Sequence, residues 1–256
     1  MKRKRDGFSL VELLVVLGII TLLMSILLPA IGRVRAMARS TKCLANLQQW
    51  GSSVQMYLGG NRGHFFADRK GLTALTWYEL LAPYNGSFDR TLLCPEAGDP
   101  GNQVGSATLA WGPIRTFSVA APAWQTRGVF VGSYGLNAWL YQRDPASLPD
   151  AWRGRTITLP AANSSRIPFL GDCALEWAMP QDTDTPGDLH QPIPHAQPGA
   201  QGKPGPLQFM RVYCMDRHDR AINVVFIDGH AERVPLAELW KLKWNHAFTP
   251  REVVIP

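Results

Sequence analysis

His218, Asp228, His230 and Asp172 are the side chains whose types suit a metal ion or a hydrolytic centre. Imidazoles and carboxylates together can ligate zinc or relay a proton. Spacing restricts that chemistry. If residues 218–228 run as one strand, His218 and Asp228 lie about 33 Å apart at roughly 3.3 Å per residue. With only 222–227 extended, the gap is still about 17 Å. They cannot share an ion unless the chain turns back sharply near Asp219-Arg220. The plainer expectation is that Asp228 shapes a turn while His218 bonds a loop carbonyl. Asp172 and His218 can meet from adjacent strands and stay as metal candidates. The overall expectation is no bound metal and no cofactor. No serine sits in a nucleophile elbow, and no H-E-x-x-H, P-loop or C-x-x-C occurs, so no enzyme is expected.

The four cysteines, Cys43, Cys94, Cys173 and Cys214, permit two disulfides in three connectivities. Cys173 and Cys214 each follow a candidate strand, which suggests that they pair and leave Cys43 with Cys94; free buried thiols are the alternative. Asp182, Asp184 and Asp188 are spaced too irregularly for an EF-hand and read as a plain acidic loop. His190 and His195 read as solvated loop residues.

A last chemical oddity lies near the N-terminus. Lys2-Arg3-Lys4-Arg5-Asp6-Gly7 precedes an apolar run from Phe8 to Leu28, interrupted by one carboxylate, Glu12. These 21 residues make roughly 31 Å of helix, the thickness of a hydrocarbon core. A secretory signal would be shorter and would end in a small-x-small site, whereas this run ends Leu27-Leu28-Pro29-Ala30. A lipoprotein signal needs a cysteine at once, and the first is Cys43. A plain anchor fits the length but gives no reason for Glu12. A carboxylate in such a helix costs about 2.5–3.5 kcal/mol on insertion scales, and intramembrane acids usually mark function.

Gly7-Phe8-Ser9-Leu10-Val11-Glu12-Leu13 resembles the processing site of type IV pilins and pseudopilins. The resemblance implies cleavage after Gly7 by the prepilin peptidase, and N-methylation of Phe8 by the same enzyme. Glu12 then stands fifth in the mature chain, where the family carries its glutamate, and Pro29 where many members carry a helix-loosening proline. In a filament the methylated amine of an incoming Phe8 would meet the Glu12 carboxylate of a neighbour, offsetting the cost of that charge in lipid. A second resemblance spans more of the chain. Lys42 to Gln49 with Tyr57, Cys94-Pro95, Ser133-Tyr134-Gly135-Leu136-Asn137, and His218 followed after nine residues by Asp228-Gly229 are similar to a prepilin-type processing-associated group. That likeness names no chemistry.

The basic residues ahead of the helix would hold that end in the cytoplasm, placing the chain beyond Pro29 outside it. Without the leader the formal charge falls from +6 to +3, so the basic pI is partly a topology signal, and no nucleic-acid module is visible. Leu47, Gly51, Val54 and Leu58 recur at helical spacing, flanked by Leu44, Trp50 and Tyr57. Gly59-Gly60-Asn61 ends that helix. The expected organisation is leader 1–7, transmembrane helix 8–28, amphipathic second half 29–60 beyond a weak point at Pro29-Gly32, and a β-rich headgroup 61–256. Within the headgroup, Ala221–Ile227, a hairpin turn at Asp228-Gly229 and His230–Val234 read clearly. Arg166–Leu170 and Phe209–Tyr213 are further expected strands. Trp77–Leu81 and Leu236–Trp244 read as short helices. Residues 180–207 read as a Pro/Gly-rich surface insertion too polar to build a core. The fold class is α+β and pilin-like: a long N-terminal helix packed on an antiparallel sheet.

The expected function is a structural subunit of a pilus or type II secretion pseudopilus. Its partners would be the prepilin peptidase, other pilin subunits, an inner-membrane assembly platform and lipid. The alternative is a membrane-anchored module that binds a polysaccharide or other polymer. Several tryptophans lining a groove would favour that alternative, and a buried set would favour a scaffold.

Overall fold

The computed structural model describes residues 10–66, 76–100, 105–115, 129–142, 146, 150–159, 161, 163–190 and 208–256. Gly7, Phe8, His195 and the 191–207 part of the expected insertion lie outside them. The chain divides into two units, Met1–Arg39 and Ser40–Pro256. Helix α1, Leu10–Gly60, contributes to both.

In the first unit α1 is apolar on every side up to Leu28 apart from Glu12 near its start. Its best 18-residue window has a mean hydropathy of 2.7 and none of it is buried, so it is long and apolar enough to cross a membrane. The Thr21 hydroxyl donates to the Gly18 carbonyl at 2.9 Å and the Ser25 hydroxyl to Leu22 at 2.7 Å, which hides both polar groups against the helix. Pro29 lies inside α1, which stays helical through it and through Gly32.

In the second unit α1 becomes one-sided. Cys43, Asn46, Leu47, Trp50, Gly51, Ser53, Val54 and Leu58 are buried, a stripe at i, i+3, i+4 and i+7 spacing. The helix ends where the glycines predict. Gly63, at φ +76°, donates its N–H to the Leu58 carbonyl at 2.8 Å.

Two short helices follow, α2 (Trp77–Leu81) and α3 (Phe88–Thr91). The strands are β1 (Trp111–Arg115), β2 (Val129–Gly132), β3 (Tyr134–Asn137), β4 (Pro168–Asp172), β5 (Trp177–Ala178), β6 (Ala221–Phe226) and β7 (Ala231–Pro235). β1 and β2 form an antiparallel pair, and the main sheet has the order β5-β3-β4-β6-β7. Among the described strand pairs of this sheet, β3–β5 is parallel and the others are antiparallel. Both faces of the sheet are covered. Tyr134, Leu136, Leu170 and Val225 join the helix stripe in one core, while Ile222, Val224 and Phe226 face a second core with Tyr213, Trp240 and Trp244. Every residue of β3, β4 and β6 is therefore buried.

Three expectations need correction. Phe209–Val212 is a 3-10 helix, held by the Asp184 carboxylate, which accepts from the Met210 N–H at 2.8 Å. Leu236–Lys241 is likewise 3-10 and ends before Trp244. Residues 180–190 do build core, since Asp184 and Leu189 are buried and the Pro180 carbonyl accepts from the Trp139 indole.

The seat of α1 on the sheet is a close approach. A Cβ at Gly51 would stand 2.8 Å from both the Gly229 carbonyl oxygen and Val225 Cγ2. Gly229 itself, at φ +91°, makes the hairpin turn between β6 and β7. In an exposed helix Gly→Ala stabilises by roughly 0.5–1 kcal/mol. Here Gly51→Ala is expected to destabilise the chain by about 1–3 kcal/mol, the usual cost of overpacking. Denaturant unfolding in detergent, followed by tryptophan fluorescence, checks the sign.

Glu176 supplies a second test. Its carboxylate Oε2 is buried with no hydrogen-bond partner among the described residues. Burial, with a smaller contribution from the charge of Glu79, pushes its carboxyl up to about 7 from a normal value of 4.5. The unfolded chain then loses this proton at lower pH than the folded chain. The contribution of Glu176 to stability is complete below about pH 4.5 and is lost as pH rises to about 7, by roughly 3 kcal/mol. Glu176→Gln should flatten that slope across pH 4–8, measured as the midpoint of unfolding.

Candidate functional site

Four chemically capable side chains from distant parts of the chain converge in the second unit. Cys43 comes from α1, Cys94 from the segment after α3, Asp172 from the end of β4, and His218 from the turn before β6. One ligand atom from each lies within 4.8 Å of all the others, and all four residues are buried.

The sheet brings them together by register. Asp172 sits opposite Tyr134 of β3, and Asn223 of β6 donates its backbone N–H to Asp172 Oδ2 at 2.9 Å. His218 reaches the cluster because the chain reverses at Asp219 and Arg220, both in the left-handed region at φ 55°. Such residues cost of order 1 kcal/mol or more each. The turn is held by Arg233, which donates to the carbonyls of His218 and Asp219 at 2.8 and 2.7 Å, and by Asp216, which accepts from the Arg220 N–H at 2.6 Å.

His218 Nε2 lies 3.1 Å from Asp172 Oδ2 and 3.3 Å from Cys94 Sγ. The expected loop-carbonyl bond for this imidazole is thus replaced by a carboxylate and a thiol. Cys43 Sγ lies 3.4 Å from both Asp172 oxygens, and the Tyr134 hydroxyl donates to it at 3.3 Å. Arg217 completes the group. Its buried guanidinium stands 3.3 Å from Asp172 Oδ1 and donates to the carbonyls of Ser106, Ala107, Leu109 and Ser133.

The electrostatics follow from this packing. For Asp172, burial raises the pKa, but the His218 bond, the Arg217 charge and the Asn223 N–H outweigh it and hold the carboxyl below its normal value. For His218, burial disfavours the cation, yet Asp172 and Cys94 push it up to about 10. Burial drives the Cys43 thiol well up. Cys94 is drawn down instead, because bonds from Cys43 and His218 and the Arg217 charge overcome its burial.

The remaining candidates do not join. Asp228 is exposed at the far end of β6, where its carboxylate accepts from the His230 N–H at 3.2 Å and lies 2.6 Å from His230 Nδ1. Asp182 pairs with Arg155, Asp184 serves backbone N–H groups, and Asp188 accepts from His190, so no calcium cage forms among them. All four cysteines are free, so neither expected disulfide is present. Cys214 follows a 3-10 helix rather than a strand beside β4, which removes the reason for pairing it with Cys173. Burial pushes both of these thiols up to about 12. Sequence reading found Asp172 and His218 as a pair but missed that Cys43 and Cys94 complete their cluster. The missed signal was the helical stripe, which extends back to Cys43.

Residues 2–28 match the family model of the prokaryotic N-terminal methylation motif. The chain carries a prepilin-type leader motif. This match supports a type IV pilin-like protein, implies processing by prepilin peptidase and assembly with other pilin subunits in general, and points to a structural subunit. No curated protein and no solved structure matches the chain.

Arg217 gives the site its own test. Replacing it with leucine leaves the Asp172 charge and four carbonyls without their common donor. Breaking a buried pair this way costs about 3–5 kcal/mol, so Arg217→Leu should unfold at markedly lower denaturant than the parent chain in a fluorescence titration.

Proposed function

We propose that this chain is a filament subunit of a pilus or a type II secretion pseudopilus. It is cut after Gly7, methylated on Phe8, held in the inner membrane by its apolar stem and polymerised through α1. Its amino end faces the cytoplasm and the headgroup lies outside. The observation that carries the reading is the methylation-motif match, which runs from residue 2 through the exposed apolar start of α1 to residue 28. An exposed stem suits a segment that lies in lipid and then among the stems of neighbouring subunits. Glu12, in the first turn of α1, is the site where the Phe8 amine of the next subunit docks.

The polymer-binding alternative gains no support from the aromatic residues. Trp50, Trp77, Trp111, Trp139, Trp240 and Trp244 are all fully buried. An open cleft of roughly 370 Å³ beside the β6–β7 turn, lined by residues such as Gln55, Arg62, Leu159 and Ile227, contains no tryptophan. Among the other described tryptophans, Trp177 is 38 % exposed and stacks on Phe209 but does not line this cleft, and the six buried rings serve packing, as a scaffold requires.

Mass spectrometry of membrane-extracted protein should find N-methylated Phe8 as the first residue. Glu12→Ala should be cleaved normally yet be absent from sheared filaments in an immunoblot. A chain that begins at Met1 would refute the processing, and normal incorporation of Glu12→Ala would refute the pairing.

A further inference from the structure

We propose that Cys43, Cys94, Asp172 and His218 form a closed structural zinc site. The inference goes beyond filament assembly and stands independently of it.

The donor set is the first argument. Two thiols, one imidazole nitrogen and one carboxylate are ligands that zinc takes in four-coordinate sites, and thiolates select against magnesium and calcium. Geometry is the second. Zinc bonds of about 2.0–2.3 Å set tetrahedral edges of roughly 3.3–3.8 Å between donor atoms. The observed separations are 3.1 Å from His218 Nε2 to Asp172 Oδ2, 3.3 Å from His218 Nε2 to Cys94 Sγ, and 3.4 Å from Cys43 Sγ to Asp172. These three edges stand within a few tenths of an ångström of a metal-centred shell, and all four donor atoms lie within 4.8 Å of one another, so small side-chain shifts would close the shell.

Charge is the third. Two thiolates and one carboxylate bring three negative charges into a buried site. A divalent ion and the buried Arg217 guanidinium, 3.3 Å from Asp172, cancel them. Binding releases to water the protons held by the thiols and by the His218 imidazolium, which leaves His218 neutral with its Nε2 lone pair on the metal. The surroundings are those of a ligand shell held in place: Tyr134 donates to Cys43, and Arg217 and the Asn223 N–H donate to Asp172. With four protein donors, each at most 5 % exposed, no coordination position is left for substrate, so the site is structural. It would tie α1 to β4, to the turn before β6 and to the segment after α3.

The test uses the full chain, extracted from membranes in detergent without chelator, with zinc measured by plasma mass spectrometry and thiols by alkylation mapping. The wild-type chain should hold about one zinc per chain, as a four-ligand site does. Cys94→Ser and His218→Gln should each reduce that at least about 10-fold, and Cys214→Ser, a buried thiol outside the cluster, should keep it. Because ligand variants can fail to fold, the wild type also takes cobalt after zinc removal. Absorption from tetrahedral cobalt with thiolate-to-cobalt charge transfer supports the site. A metal-free wild type that takes up neither ion, or one whose Cys43 and Cys94 are joined as a disulfide, overturns it.

Discussion

The architecture of the second unit turns on one buried charge. Asp172 is fully enclosed at the end of β4. A carboxylate taken from water into a protein interior without compensation costs several kcal/mol. Its neighbours are arranged to supply that compensation from every side: Arg217 and His218 from the loop, the Asn223 N–H from β6, and the Cys43 thiol from α1. Each of these fixes something larger. The Asn223 bond supports the β4–β6 register, and Cys43 sets where α1 lies over the sheet. The strained turn at Asp219-Arg220 persists because it delivers His218 to this point.

Local information was legible in the sequence and long-range contact was not. Local periodicity was legible. The stripe from Leu47 to Leu58, the Asp228-Gly229 hairpin and the Trp77–Leu81 turn all rest on contacts within a few residues, and they appear within about two residues of where the pattern places them. Phe209–Val212 was misread because alternating bulky residues look like a strand. Its 3-10 form depends on Asp184, more than twenty positions upstream, capping Met210. β1 to β3 escaped notice because glycine and proline break their apolar runs, and because β3 is buried on both faces and shows no alternation.

The site was legible only as fragments, since its four members have no common sequence spacing. The strand-length argument separates His218 from Asp228, and in the structure they do lie apart. The signature pair drew attention, whereas the contacts that matter run across the sheet, from His218 to Asp172 and on to the helix. Topology supplied that step: Asp172 faces Tyr134 on one side and Asn223 on the other, beneath the residue where the helix stripe begins.

The thiols show why this cluster needs its own explanation. If the headgroup lies outside the cytoplasm, as proposed, oxidation is favoured and exposed cysteines would be liabilities. Cys173 and Cys214 are protected by burial alone: with pKa values near 12 they hold almost no thiolate, the reactive form. Cys43 and Cys94 lack that protection as a pair. Their sulfurs lie within 4.8 Å of each other, and Cys94 sits beside His218 and within the field of Arg217, surroundings that favour its thiolate. Two adjacent thiols in such a setting tend toward a disulfide or a metal. A disulfide would join Cys43 and Cys94 but leave unexplained why Asp172 and His218 present their own ligand atoms to the same point. A metal uses all four donors and also gives the Arg217 charge its counterpart, so one ion accounts for the convergence that a bond between two sulfurs does not.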